Sequence, residues 1–90
     1  MTNDWILKRH RAEICYELFD ICKELDPYEC EEELFIGALE TFNQLQRGEW
    51  RAVAEEFRGV LEEIDPELPE HDDLADLLET LEIYETEARK

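Results

Sequence analysis

The sequence predicts an all-α fold in which four antiparallel helices form two helical hairpins of an up-down bundle. Apolar residues recur at steps of three and four, the period of one helix face, and Asp-Pro pairs and Gly48 interrupt this pattern. The sequence has no sustained period-two alternation and no Asn-Gly or Asp-Gly hairpin signal, so we expect no strands. The predicted connections are short, and short connections make consecutive helices antiparallel neighbours.

The boundaries of the helices follow from turn and capping residues. Asp26 suits the N-cap of helix 2, Pro27 suits its first position, and Glu29 lies where a capping-box acid belongs. Gly48 supplies a left-handed stop after helix 2. The four helices are therefore predicted over residues 5–25, 27–47, 50–64 and 73–87.

Each helix has one apolar stripe that is predicted to face the core. In helix 1 the stripe is Leu7, Ile14, Cys15, Leu18, Ile21, Cys22 and Leu25, and in helix 2 it is Leu34, Phe35, Ala38, Leu39, Phe42 and Leu45. In helix 3 it is Trp50, Val53, Ala54, Phe57, Val60, Leu61 and Ile64, and in helix 4 it is Leu74, Leu77, Leu78, Leu81, Tyr84 and Ala88. Arg11 lies where the stripe of helix 1 should have an apolar residue. The basic cluster around it either offsets neighbouring acidic helices or forms a small contact patch.

The two hairpins repeat with a shift of 39 residues, which aligns Asp26-Pro27 with Asp65-Pro66. One spacing in helix 1 indicates a second architecture. It consists of Cys15, Phe19, Cys22 and Pro27, and this small-aromatic-small-proline spacing resembles the second helix of a tetratricopeptide repeat. The matching positions of the second hairpin are Ala54, Arg58, Leu61 and Pro66. They depart from the tetratricopeptide spacing at two places. The alternative to the bundle is therefore a tetratricopeptide-like stack of hairpins.

Length and charge restrict the function. Ninety residues predict one domain, residues 1–90, with one modest core. The chain has 26 acidic and 9 basic residues, a net charge of -17, which repels nucleic acid and anionic membranes. This acidity also has two simpler explanations, solubility and adaptation to high salt. No apolar run is long enough for a membrane span, and three cysteines form no disulfide-dense pattern, so we expect a cytoplasmic protein.

The residues that could carry catalysis do not form a recognisable motif. His10 lies in a basic cluster and His71 in a polar loop, and neither has a serine or cysteine at catalytic spacing. Cys22 and Cys30 flank the Asp26 turn, but we interpret the cysteines as buried packing thiols. Three cysteines with distant histidines do not make a zinc site. The sequence therefore predicts no enzyme, no cofactor and no metal site.

The strongest functional signal is the acidic stretch that follows helix 3. Between Gly59 and Ala88 there are twelve acids and no Lys or Arg. Steps of about 100° per residue place several of these acids opposite the leucine stripe of helix 4, with Ile83 as an apolar anchor among them. The predicted partner-binding residues are Asp72, Asp76, Glu79, Glu82, Ile83 and Glu87.

These observations favour a small non-enzymatic binding protein whose acidic surface on helices 3 and 4 docks on a basic protein. One specific version is a nucleic-acid mimic or inhibitor that occupies the groove of a nucleic-acid-binding protein. Bacteriocin-type immunity proteins are similar in being small, acidic and helical. The alternative is an adaptor or assembly protein that uses an apolar groove between helices, with the charge serving solubility. Ile36 is an apolar residue on the outer side of helix 2, and a homodimer is therefore a further alternative.

Overall fold

The computed structural model describes residues 4–88, and it consists of four helices joined by short turns. The helices are α1 (Asp4–Leu25), α2 (Glu31–Gln46), α3 (Trp50–Glu63) and α4 (Pro69–Ala88). Helix α1 packs against both α2 and α4, α3 packs against α4, and the contact between α2 and α3 is the smallest. The contact between the first and last helices closes a bundle, whereas a stack of hairpins would separate them. The predicted all-α bundle is therefore confirmed.

Helix α2 begins four residues later than predicted, because Asp26 forms a turn instead of an N-cap. Its Oδ1 accepts a hydrogen bond from the Tyr28 N–H at 3.2 Å, and its carbonyl oxygen accepts one from the Glu29 N–H at 3.2 Å. Such an Asx turn competes with helix formation. Cys30 is the N-cap and makes no side-chain cap hydrogen bond. The acids at 31–33 replace this cap, because carboxylates are stabilised at a helix N-terminus.

Helix α4 begins four residues earlier than predicted, because Pro69 occupies its first position. A proline there costs no hydrogen bond, since that N–H has no partner within the helix. Asp65 forms the same turn as Asp26: its Oδ1 accepts from the Glu67 N–H at 3.0 Å and its carbonyl oxygen from the Leu68 N–H at 3.1 Å. The repeated Asp-Pro pairs therefore share one turn geometry.

Gly48 ends the second helix as predicted. Its φ is 84°, in the left-handed region that glycine adopts without a steric penalty. The Gly48 N–H donates to the Leu45 carbonyl at 3.0 Å, and the Glu49 N–H donates to the Gln44 carbonyl at 3.0 Å. These two bonds form a Schellman motif, which satisfies carbonyls that the helix end would otherwise leave free.

The core is narrower than the predicted stripes. It contains Ile14, Cys15, Ile21, Leu45, Trp50, Val53, Ala54, Phe57, Leu74, Leu77, Leu78 and Leu81. The prediction was wrong for Phe35 and Leu39, which are 61% and 48% exposed, and for Val60 and Tyr84, each 41% exposed. Ala88, also predicted to face inward, is exposed. Periodicity shows which side of a helix is apolar, but the packing partners decide how much of that side is covered.

Two polar side chains on α2 and α4 occupy inward positions that the prediction did not include. Thr41 is 8% exposed, and its Oγ1 donates to the Gly37 carbonyl at 3.0 Å. Glu85 is 1% exposed and is paired with Arg11, whose Nε and Nη2 lie 2.6 Å and 2.9 Å from the two carboxylate oxygens. Arg11 therefore takes its place in the stripe of α1 because it neutralises a buried carboxylate, which explains its presence among apolar neighbours.

A comparison of two phenylalanines tests this core. Phe57 is 3% exposed whereas Phe35 is 61% exposed, so the same truncation removes a core side chain at one site and a surface side chain at the other. We expect Phe57→Ala to lower the free energy of unfolding by about 3–5 kcal/mol. Phe35→Ala should change it by less than about 1 kcal/mol in dilute solution. Urea denaturation followed by circular dichroism measures both, and equal losses would contradict the assignment of α3 to the core.

Candidate functional site

Carboxylates from two helices meet in a groove between α1 and α4. Glu17 and Asp20 line it from α1, and Asp73 and Asp76 line it from α4. All four are exposed, and the groove has a volume of about 360 Å³. None of the four has an ion-pair partner among the described residues. No ion pair within the described part of the chain therefore neutralises these four charges. The pKa of the Lys23 ammonium group is raised mainly by its hydrogen bond to Glu31, and the nearby Asp20 carboxylate contributes to this rise.

Helical register extends this groove into a larger surface. Glu13 and Glu24 lie one turn from the groove residues on the same side of α1, and Asp72 and Glu79 do so on α4. We call this surface the acidic face, and it comprises Glu13, Glu17, Asp20, Glu24, Asp72, Asp73, Asp76 and Glu79. All of these side chains are exposed.

The density of charge on the acidic face is close to that of a nucleic acid. The α1 stretch from Glu13 to Glu24 spans roughly 16 Å at 1.5 Å per residue. The eight carboxylates therefore amount to about one negative charge per 2 Å, compared with about one per 1.7 Å of duplex DNA. The acidic face therefore carries negative charge at nearly the linear density of a nucleic acid.

The described cations form their pairs mostly away from the acidic face. Five of the seven described Lys and Arg residues are in ion pairs, and these five are Arg9, Arg11, Lys23, Arg47 and Arg58. Arg51 lies over the Trp50 ring, 5.3 Å from its centroid. At the acidic face, Glu13 pairs with the exposed Arg9 at 3.3 Å and lies 4.0 Å from His10. Asp72 lies 3.9 Å from His71, and a histidine adds charge only when it is protonated. A surface pair of this kind is worth little, so it leaves the face strongly negative.

The structure separates the six residues that were predicted to bind a partner. Three belong to the acidic face: Asp72, Asp76 and Glu79. Ile83 is 53% exposed and continues their side of α4, and Glu87 is exposed one turn beyond it. Glu82 instead turns toward α3, where its Oε1 accepts a hydrogen bond from Arg58. The side of the bundle between α3 and α4 therefore has cations of its own, which the prediction of a docking surface on helices 3 and 4 did not include.

The acids of α1 were missing from the predicted site. Glu13, Glu17, Asp20 and Glu24 have the spacing of one helix face, so their clustering is visible in the sequence. Their position beside α4 depends on the contact between the first and last helices, which local periodicity does not reveal. The acidic face is therefore a property of the tertiary structure.

The opposite edge of α1 forms a groove of different character. Between α1 and α2 lies a groove of about 310 Å³ lined by Ala12, Cys15, Tyr16, Phe19, Phe35, Ala38, Leu39 and Phe42. We call it the apolar groove. Phe35 and Leu39, which were predicted to lie in the core, form one of its walls. The bundle thus presents a charged surface and an apolar surface on two sides of the same helix.

An open cleft of about 630 Å³ is lined mainly by residues of α1, α2 and α3. Glu29, Glu33, Glu40 and Glu56 are among its lining residues, together with Cys22. Burial, and then the nearby Glu29 carboxylate, raises the pKa of the Cys22 thiol. Both effects oppose formation of the thiolate, so Cys22 is a poor nucleophile.

The cysteines differ in their exposure. Cys15 is buried, Cys22 is half-buried and Cys30 is exposed, and all three are free thiols. The interpretation of buried packing thiols is therefore wrong for Cys30, because the late start of α2 leaves it at the helix end. Within residues 4–88, no group of three or more His, Cys, Asp or Glu side chains is arranged to hold a metal ion.

Comparison with protein-family models, with curated proteins and with solved structures gives no significant match for this chain. In the described part of the chain, no helix has both the length and the apolar composition that crossing a membrane requires.

The three thiols should react at very different rates. Burial raises the pKa of the Cys15 thiol to about 11, so it stays protonated at about pH 8, and the thiolate is the reactive form. We expect iodoacetamide to label the exposed Cys30 in the native protein, whereas Cys15 should react only after unfolding or at strongly alkaline pH. Mass spectrometry of peptides from the native protein and from a Cys30→Ser control measures this order. Rapid labelling of native Cys15 would contradict its position in the core.

Proposed function

We propose that this chain is a small non-enzymatic binding protein that uses its acidic face to dock on a basic protein surface. The observation that carries the proposal is the meeting of unpaired carboxylates from α1 and α4 in one exposed surface. Such a surface attracts a basic partner over several ångströms and speeds its association. The same field repels DNA, RNA and anionic lipid, so the partner is a protein rather than any of these.

A nucleic-acid-binding protein is the partner that fits best. Its binding groove is built to neutralise closely spaced phosphates, and the acidic face offers carboxylates at a similar linear density. Ile83, 53% exposed beside Glu79, adds an apolar contact that phosphates do not provide. The chain would act as a competitive inhibitor that blocks the groove against nucleic acid. The three free thiols suit the reducing cytoplasm, where we place this activity.

A second candidate function is supported by the apolar groove. An adaptor that holds an apolar segment between α1 and α2 would use Phe35 and Leu39 as contacts and would need the acidic face only for solubility. The two functions differ in their response to salt. Binding through the acidic face weakens as salt screens the charges, whereas binding in the apolar groove does not.

Charge reversal on α4 tests the proposed function. Partners recovered from host lysate at low salt are purified, and their affinity for the chain is measured by isothermal titration calorimetry. We expect Asp76→Lys with Glu79→Lys to weaken binding by at least about tenfold, because it replaces attraction with repulsion at the centre of the face. The matched control is Glu62→Lys with Glu63→Lys, which makes the same charge change on exposed positions of α3.

The control should lose much less affinity than the α4 variant. Duplex DNA should also compete with the wild-type chain for the recovered partner, since both occupy one groove. Equal losses in the two variants would contradict docking through the acidic face. Retained binding in the presence of excess DNA would contradict mimicry of nucleic acid, but it would not contradict docking on a basic protein.

A further inference from the structure

The side of the bundle formed by α1 and α2 has large exposed apolar side chains. Tyr16 and Phe35, at the apolar groove, are 70% and 61% exposed. Trp5 extends the groove along α1 and is 67% exposed, and Ile36 extends it beside Leu39 on α2 and is 50% exposed. We call the apolar groove together with Trp5 and Ile36 the apolar face.

The exposed area of the apolar face matches the requirement of a dimer. Its five most exposed side chains are between 48% and 70% accessible. The total surface area of an aromatic side chain is about 150–250 Å², and that of an aliphatic one is somewhat less. Multiplied by the exposed fractions, these areas give roughly 500–600 Å² of exposed surface for the five side chains. A standard interface buries about 800 Å² per partner, of which about two thirds is apolar in homodimers. The apolar face can therefore supply the whole apolar part of such an interface.

The charges at the two ends of the apolar face are opposite in sign. Lys8 lies at the end where α1 begins, and Glu32 lies at the other end, where α2 begins. Both are exposed, and neither has an ion-pair partner among the described residues. Lys23 and Glu31, also near the second end, already neutralise each other at 2.7 Å. The unpaired cation Lys8 therefore lies at one end, and the unpaired charges at the other end are acids, among them Glu32 and its neighbour Glu33.

We propose that a second copy of this chain covers the apolar face in an antiparallel, two-fold symmetric dimer. A two-fold axis perpendicular to the helices places the Lys8 end of each copy against the Glu32 end of the other, so both contacts are attractive. The two apolar faces lie between them and are removed from water. A parallel dimer would instead place like charges together.

The dimer and the proposed partner binding use adjoining surfaces of α1, since Tyr16 of the apolar face lies one turn from Asp20 of the acidic face. The apolar face contains no residue of the acidic face, so the dimer does not depend on the proposed function. Their salt dependences are opposite. Two molecules that each carry a charge of -17 repel each other, and salt screens this repulsion, so dimerisation should strengthen as salt rises. Docking of a basic partner should weaken over the same range.

Sedimentation velocity at rising protein concentration and rising salt tests the dimer. We expect the wild-type chain to sediment as a dimer, with at least a tenfold lower dissociation constant at high salt than at low salt. Phe35→Glu with Leu39→Glu should give a monomer that retains its helical circular dichroism, because both side chains are exposed. Ile83→Glu is the control, since it places a new charge on an exposed apolar position of α4 and should leave the dimer intact.

A charge swap tests the antiparallel orientation. Lys8→Glu and Glu32→Lys should each weaken the dimer several-fold. The double variant should dimerise more tightly than Lys8→Glu alone, because one attractive pair is remade with reversed signs. A wild-type chain that stays monomeric at high concentration and high salt would overturn the proposal. So would a dimer that survives Phe35→Glu with Leu39→Glu, or a monomer that binds an unrelated apolar segment on this face.

Discussion

The buried ion pair between Arg11 and Glu85 is the constraint on which the alignment of the bundle depends. A carboxylate that is 1% exposed is tolerated only when a cation and hydrogen bonds compensate for its lost hydration. Arg11 also donates to the Gln46 side chain at 3.2 Å, so one guanidinium joins α1, α2 and α4. The next residues along, His10 and Tyr84, stack with ring centroids 3.3 Å apart. A shift of one helical turn between α1 and α4 would break both contacts and leave the buried Glu85 carboxylate without its cation.

This alignment also sets the surface chemistry. Once α1 and α4 are in register, Glu17 and Asp20 lie beside Asp73 and Asp76, and carboxylates that are far apart in sequence form one field. Most described cations are paired elsewhere, so this field is not neutralised from within. The other edge of α1 packs against α2 and carries aromatic side chains instead. The net charge of -17 is therefore distributed unevenly, and the uneven distribution gives the molecule two distinct interaction surfaces.

A structural feature could be predicted from the sequence when it depends on residues close together in the chain. The helices, the Gly48 stop and the repeated turn at Asp65 depend on neighbouring residues, so periodicity and turn chemistry find them. The start of α2 was missed because Asp26 forms an Asx turn instead of an N-cap, and the start of α4 was missed because Pro69 begins the helix where a loop was predicted. The burial of Glu85 could not be predicted, because its partner is 74 residues away in the chain. The exposure of Phe35 was missed for the same reason, since it depends on which helices cover α2.

A double-mutant cycle on Arg11 and Glu85 tests this account most directly. Arg11→Met leaves the buried Glu85 carboxylate without its cation and should lower the free energy of unfolding by about 3–5 kcal/mol. Glu85→Met should cost less, because Arg11 keeps its bond to Gln46. The double variant removes both charges and should be more stable than Arg11→Met alone, as urea denaturation measures. A double variant destabilised by the sum of the two single losses would show that the pair does not hold the bundle in register.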